Sequence, residues 1–152
     1  MEMDPDLEVD VFHHLARSYA KQGKNRRALQ YFKDAIQANP KAAVVHQDMG
    51  DFLFKQGKFE EAVTTFQNAL KMSPKMTSDA WYKLGIAQIK LNHIREAEEP
   101  LREAFELTPD NVQVQDALTE VLYRVHQLRL KEGKPLESLD LLREAVRINP
   151  TH

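Results

Sequence analysis

Three prolines divide the sequence at a nearly constant interval: Pro40, Pro74 and Pro109 are 34 and 35 residues apart. Proline interrupts a helix because its ring removes a backbone donor and crowds the preceding turn. A constant interval of this length indicates an internal repeat, in which each unit is a small motif that needs neighbouring copies to bury its apolar surface. The chain is therefore predicted to be a tandem array.

Each interval holds two short amphipathic helices joined by a tight turn. From Trp81 to Pro109, apolar residues recur every three or four positions in both halves, which is the spacing of one helix face. Gly23 and Gly57 mark the turns of the first two intervals, because glycine readily adopts the left-handed conformation found just past a helix. Asn92 takes that place in the third interval. Strand-type alternation is absent from the sequence, so the predicted fold class is all-α.

The repeats set the predicted boundaries. Residues 1–8 carry four acids and a proline, and we expect a flexible acidic lead-in there, before a first helix that begins near Val9. The array then covers residues 9–152, in repeats at about 9–42, 43–76, 77–110 and 111–152. Gly50 and Gly85 are predicted to be sites of close helix packing, and Trp81 a core residue.

The fourth repeat is longer than the others. Pro109 and Pro150 are 41 residues apart, and the seven surplus residues lie in a stretch that contains no helix breaker before Gly133. Seven residues make close to two helical turns, so the insertion lengthens the first helix of the repeat and keeps its apolar face. The prediction is one helix from about Asn111 to Glu132, ~33 Å long at the usual rise per residue.

Several short runs resemble the signature of the tetratricopeptide repeat (TPR) family. They are W-x-x-L-G at Trp81–Gly85, F-x-x-L-A-x-x-Y at Phe12–Tyr19, and A-x-x-x-F before a proline at Ala28/Phe32 and Ala62/Phe66. The resemblance covers roughly residues 9–150. It implies a right-handed α-α superhelix of four helix pairs.

The resemblance also implies a function without catalysis. In TPR arrays, the first helices of the repeats line a concave groove that binds peptides or helices of partner proteins. The expected groove residues in this chain are Asp10, His13, Arg17, Gln47, Asp51, Phe54, Lys55, Tyr82, Ile86, Ile89, Lys90, Tyr123 and Arg124. The aromatic and aliphatic members would form a partly apolar strip with charged edges, as a peptide groove requires. The alternative is that some of them pack against the next repeat.

One TPR subtype is disfavoured. Members that grip the acidic C-terminal tails of heat-shock chaperones use asparagines and a set of basic residues in this groove. The aligned positions here are His13, Arg17, Asp48, Asp79 and Lys83, so the asparagines are missing and two positions are acidic. A carboxylate ligand would be repelled by these two acids. A dedicated chaperone or assembly factor for one client complex remains an alternative function for the same groove.

Charge and hydrophobicity limit the classes of partner that the chain is expected to bind. The formal net charge of -2 and the pI near 6.3 give no basic footprint for nucleic acid. No apolar run approaches the roughly 20 residues that cross a bilayer, and no signal peptide opens the chain. We expect a cytoplasmic protein whose partner is another protein. The array ends at residue 152 without the polar capping helix usual in such folds, which favours a fragment, self-association through this face, or a covering role for the long fourth-repeat helix.

Catalytic and metal sites have little support in the sequence. Asp10, His13 and His14 stand at i, i+3 and i+4, a spacing that can place metal ligands on one helix face. No second cluster completes a coordination sphere, so a solvated surface is the favoured interpretation, and an enzyme with a surface metal site is the remote alternative. Nucleophile and phosphate-binding motifs are absent. The expectation is a non-enzymatic protein with no cofactor and no metal.

Overall fold

A computed structural model describes residues 4–75 and 77–151, which form eight α-helices and no strand. The helices are α1 (Pro5–Lys21), α2 (Asn25–Ala38), α3 (Ala43–Lys55), α4 (Phe59–Met72), α5 (Ser78–Lys90), α6 (Ile94–Leu107), α7 (Val112–Lys131) and α8 (Pro135–Ile148). The predicted all-α class is confirmed. The first three residues of the predicted lead-in, Met76 and His152 lie outside the described residues.

The helices form two compact units, one up to Pro74 and one from Lys75. In the first unit α1 pairs with α2, α3 pairs with α4, and α2 contacts α3. In the second, α5 pairs with α6, α7 pairs with α8, and α6 contacts α7. Each unit is thus two consecutive helix pairs that bury apolar surface against each other.

The turns between paired helices are built as the sequence predicts. Gly23, Gly57 and Gly133 have φ angles of 74°, 76° and 75°, and Asn92 has a φ of 62°. All four lie in the left-handed region, which glycine and asparagine enter at least cost. Each pair therefore closes on a short turn that directs the second helix back along the first.

The first helix begins earlier than predicted. Residues 5–8, expected in a flexible lead-in, form the opening of α1. Asp4 caps the helix, since its Oδ1 accepts a hydrogen bond of 3.0 Å from the amide of Asp6. Pro5 suits the first helical position because its missing N–H has no partner there anyway, and the acids favour the positive end of the helix dipole. The acidic composition that indicated a lead-in is a helix start signal.

The helix α7 has 20 residues, against 13 in each of α3 and α5. The side chain of Asn111 caps it by accepting hydrogen bonds from the amides of Gln113 at 2.9 Å and Val114 at 3.3 Å. Pro100 lies buried inside α6, and the helix continues through it.

Two glycines in helix interiors allow the paired helices to approach closely. A Cβ atom at Gly50 would lie 2.8 Å from two ring atoms of Phe66, and one at Gly85 would lie 2.6 Å from Cγ of Leu101. Phe66 and Leu101 are fully buried. This geometry confirms the predicted close packing. Trp81, by contrast, is only partly buried, so it lies at the edge of the core.

An ion-pair cluster ties α8 to α6. The guanidinium of Arg102 hydrogen-bonds to Glu144 on α8, with Nη2 at 2.9 Å from Oε2, and to Glu98 on its own helix, also at 2.9 Å. The hydrogen bond from Arg102 lowers the pKa of Glu144, against the opposing effect of burial. The same bond raises the pKa of the guanidinium.

We expect this pair to stabilise the fold only above acidic pH. Because the pKa of Glu144 is depressed in the folded state, its contribution is fully present above the ordinary value of 4.5 and is lost as the pH falls through the lower folded value. Arg102→Met should therefore destabilise the protein at pH 7, by about 1 kcal/mol or less because the pair is partly exposed, and by less in acid. Urea unfolding at several pH values measures this. The exposed Arg26→Met serves as control, and a difference that grows toward low pH would contradict the assignment.

Candidate partner-binding surfaces

In the first unit, residues of α1, α2 and α3 line an open cavity of about 340 Å³. Three predicted groove residues line it: Arg17 on α1 and Asp51 and Lys55 on α3. The rest of the lining is Ala20, Lys21, Phe32, Asp48, Phe52 and Gln56. Side chains at these positions share one face of each helix because they are three or four residues apart. We call this site the unit-1 cavity.

The cavity has an apolar floor and a charged rim. Phe32 and Phe52 are buried, with ring centroids 5.7 Å apart. Arg17, Lys21 and Lys55 are exposed around them. Phe32 is not among the predicted groove residues, because its place in the repeat pattern indicates only a core residue of α2. The apolar i, i+4 spacing of Phe32 and Ile36 cannot distinguish a core wall from a cavity floor.

The side chain of His13 connects α1 to α3 within the first unit. Its Nε2 lies 2.6 Å from Oδ2 of Asp48, and Nε of Arg17 lies 3.9 Å from the same oxygen. The His13 side chain is 14% exposed. The carboxylate of Asp48 at the cavity wall is therefore already engaged by two groups of α1.

The remaining predicted residues of this unit do not line the cavity. Asp10 is exposed on α1, while Gln47 is partly buried on α3. Phe54 packs edge-on against Phe59, with ring centroids 5.6 Å apart. Among residues 4–75 and 77–151, no group of three or more His, Asp or Glu side chains is placed to hold a metal ion.

In the second unit, the predicted groove residues divide into two sets. Tyr82, Ile86 and Ile89 of α5 are partly buried and pack against the core of the unit. Lys90 is exposed, Tyr123 on α7 is 49% exposed, and Arg124 is partly buried and paired with Glu120. Packing between helices, the alternative allowed by the sequence, thus accounts for much of the first set. Lys90 and Tyr123 offer free surface.

Ion pairs lie next to Tyr82 and Tyr123 along their helices. Lys83 Nζ lies 2.9 Å from Oδ2 of Asp79, and Nη2 of Arg124 lies 2.6 Å from Oε1 of Glu120. Burial, together with the charges of Asp79 and Asp116, raises the pKa of the Tyr82 phenol. The phenol therefore stays protonated at neutral pH and can donate a hydrogen bond.

No helix in the described part of the chain is long and apolar enough to cross a membrane. Apolar and charged side chains are interleaved on the helix faces of the unit-1 cavity. Such faces suit an amphipathic peptide or helix better than a small polar metabolite.

The family model described as Tetratricopeptide repeat matches residues 19–75 and 53–121 of the chain. No curated protein sequence matches at a significant level.

Solved structures resemble the fold over most of the chain. The first TPR of Spaghetti (RPAP3), bound to the HSP90 peptide SRMEEVD, has a TM-score of 0.72 at 22% identity and covers 82% of this chain and 98% of its own. The second TPR domain of human RPAP3, in complex with the HSP70 peptide SGPTIEEVD, has a TM-score of 0.71 at 23% identity and covers 78% and 98%. MamA of AMB-1 has a TM-score of 0.73 at 22% identity and covers 98% and 78%.

Proposed function

This chain belongs to the tetratricopeptide repeat family, and we propose that it is a non-enzymatic scaffold whose inner helix faces bind a segment of a partner protein. The observation that carries the proposal is the unit-1 cavity, where an apolar floor and exposed cations face the same space. Two solved TPR domains that share the fold hold peptides of HSP90 and HSP70, which supports a peptide as the kind of ligand.

The lining of the unit-1 cavity specifies a ligand with two features. The buried rings of Phe32 and Phe52 close the bottom of the cavity. One apolar side chain of the ligand is proposed to lie above them, and its full removal from water would contribute at most roughly 1.5–3 kcal/mol. Lys21 and Lys55 stand at the rim and favour acidic residues on either side of that anchor. The proposed ligand is therefore an apolar residue flanked by acids in an extended or helical segment.

A C-terminal carboxylate is not the proposed ligand. Asp48 lies in the cavity wall beside His13 and Arg17, and Asp51 also lines the cavity. We propose that a carboxylate at this wall would meet repulsion, whereas the acids of the proposed segment lie beside Lys21 and Lys55 at the rim. In the second unit, Asp79 pairs with Lys83 and occupies that cation as well. We propose that the chain selects internal segments, unlike a domain that grips an acidic tail.

A dedicated chaperone or assembly factor would use the same surface. It differs from an adaptor in its effect, since its client would be insoluble without it.

Tyr123, Lys90 and Arg124 form a second candidate surface in the other unit. Each can contact a longer ligand without disturbing the core, because it lies outside the apolar cluster.

We expect reversal of the rim charges to abolish partner capture. The variant Lys21→Glu/Lys55→Glu places two acids beside the cavity and should weaken binding of an acidic segment by about 100-fold, since like charges at an interface cost several kcal/mol. Both side chains are exposed, so the fold should persist by circular dichroism. The measurement is affinity capture from cell extract, read by mass spectrometry and confirmed with the purified partner.

The matched control is Lys33→Glu/Lys41→Glu, which makes the same charge change at exposed positions outside the cavity lining. Partners retained by this control and lost by the rim variant support the proposal. Equal capture by both variants would show that the unit-1 cavity is not the binding site.

A further inference from the structure

Within the second unit, α7 covers one face of α6. Leu101 and Phe105 of α6 belong to the same apolar cluster as Leu118 of α7, and Leu101 and Leu118 are buried to about 1% or less. Repeats of one array place equivalent residues at equivalent positions. The α6–α7 contact is therefore a template for how a first helix docks on the preceding second helix.

The same face of α8 is only partly covered. Alignment of Pro109 with Pro150 places Leu142 and Val146 of α8 at the positions of Leu101 and Phe105. Val146 is 58% exposed and its neighbour Leu139 is 42% exposed. These side chains border cavities of about 450 and 310 Å³, and Arg143 lies at the edge of the larger one.

A buried hydroxyl on this face also lacks a partner. Thr119 on α7 is 4% exposed and lines the smaller cavity beside Tyr123 and Val146. Its Oγ1 forms no hydrogen bond within residues 4–75 and 77–151. Because a buried hydroxyl without a partner costs free energy, this atom favours an occupant that brings a polar group into the cavity.

The complementary face is exposed on α1. Alignment of the first helices places Val11 and Leu15 of α1 at the positions of Val114 and Leu118 in α7. Val114 is 1% exposed, whereas Val11 is 39% exposed and Leu7, one turn earlier, is 54% exposed. The α1 position that corresponds to the buried Val114 of α7 is thus exposed.

We propose that α1 and α2 of a second copy of this chain dock on α7 and α8 of the first. The packing would be the same as that of α7 and α8 on α6 within one chain. The occupant is specified by charge as well as shape. Arg102 of α6 binds Glu144 of α8. The residues at the same repeat positions in α8 and α2 are Arg143 and Asp34.

The ion pair Arg102–Glu144 therefore has a counterpart in Arg143 of one copy and Asp34 of the next. The Arg143 side chain is 73% exposed and lies 3.9 Å from Asp140, a loose contact that leaves it available. Asp34 lines a cavity of about 360 Å³ with Glu8 and Phe12, so the receiving surface is acidic. Opposite charges across the two faces fix the register of docking.

This contact joins two different faces. In a pair of copies, one still presents a free α1 face and the other a free α8 face, so association continues until a ring closes or a filament grows. The assembly would then present several copies of the unit-1 cavity at once, which raises the avidity for a partner that carries repeated segments.

Sedimentation velocity over a series of protein concentrations tests the proposal. The wild-type chain should show a rising mean sedimentation coefficient. Arg143→Glu alone and Asp34→Lys alone should each lose the rise, because each places like charges at the contact. An equimolar mixture of the two variants should recover it, since the carboxylate introduced on α8 of one copy would then face the ammonium group introduced on α2 of the other.

Two further variants keep the test decisive. Val146→Asp removes an exposed apolar contact and should also abolish the rise, while Arg26→Glu makes the same charge change as Arg143→Glu at an exposed site on α2 and should leave it unchanged. Circular dichroism confirms that each variant is folded. A wild-type chain that stays monomeric at every concentration overturns the proposal. It is overturned equally if the monomeric chain binds an acidic helical peptide at α8 in place of a second copy. Association that persists in both charge variants overturns it as well.

Discussion

Replacing Phe66 with alanine is expected to lower the free energy of unfolding by about 3–5 kcal/mol. The ring is fully buried on α4 and packs directly on Gly50 of α3. Removal leaves a cavity whose opposite wall is helix backbone without a side chain. A backbone wall cannot collapse into the space, so the loss should lie at the upper end for a large-to-small change.

Urea unfolding followed by circular dichroism measures this loss. The matched control is Gln67→Ala, an exposed change at the next residue of the same helix, which should alter the stability by ~0.5 kcal/mol at most. A Phe66→Ala variant as stable as this control would mean that α3 and α4 do not pack through Gly50.

The substitution Gly85→Leu is expected to destabilise the second unit by at least about 1–3 kcal/mol through overpacking. A Cβ atom at this position would lie 2.6 Å from Cγ and 2.8 Å from Cδ2 of Leu101. Leu101 is fully buried in the core cluster, so it cannot rotate away into solvent. Glycine costs roughly 0.5–1 kcal/mol in a helix interior relative to alanine, and its presence here reflects the close helix approach.

The pair Gly85→Leu and Leu101→Ala should be strongly non-additive. Leu101→Ala alone costs about 2–5 kcal/mol by leaving a cavity, and the new side chain at position 85 is directed into that space. We expect the double variant to be more stable than the sum of the single losses, because residues in contact couple by about 0.5–3 kcal/mol. Thermal unfolding of the three variants measures the coupling. Strict additivity would contradict the contact between α5 and α6.

Much of the fold could be predicted because repeats restate the same information. Gly50 and Gly85 occupy the same position in successive repeats, and the structure places both against a buried side chain of the following helix. A single glycine would have been ambiguous, but two in phase indicate a packing constraint. The start of α1 was predicted incorrectly, since Asp4 and Pro5 form a capping sequence that composition alone presents as a lead-in.

The candidate site was harder to predict, for a geometric reason. Sequence spacing identifies which residues share a helix face, but not how deeply a neighbouring helix covers that face. Tyr82 and Ile86 therefore appeared as groove residues, although the core of their unit covers part of them. Two features bring residues from different repeats together: the cavity lining that includes Phe32, and the ion pair of Arg102 with Glu144. A local sequence pattern does not encode contacts between residues so far apart in the chain.

Photo-cross-linking from inside the unit-1 cavity tests the central claim most directly. A photoreactive amino acid replaces Gln56 in the lining, and in a separate variant it replaces Lys33 on the exposed surface of α2. If a partner segment binds in the cavity, the Gln56 variant should yield one cross-linked partner peptide that contains an apolar residue between acids, and the Lys33 variant should not. Identical cross-links from both positions would contradict binding in the cavity. So would the absence of cross-links from the Gln56 variant under conditions in which the partner still binds.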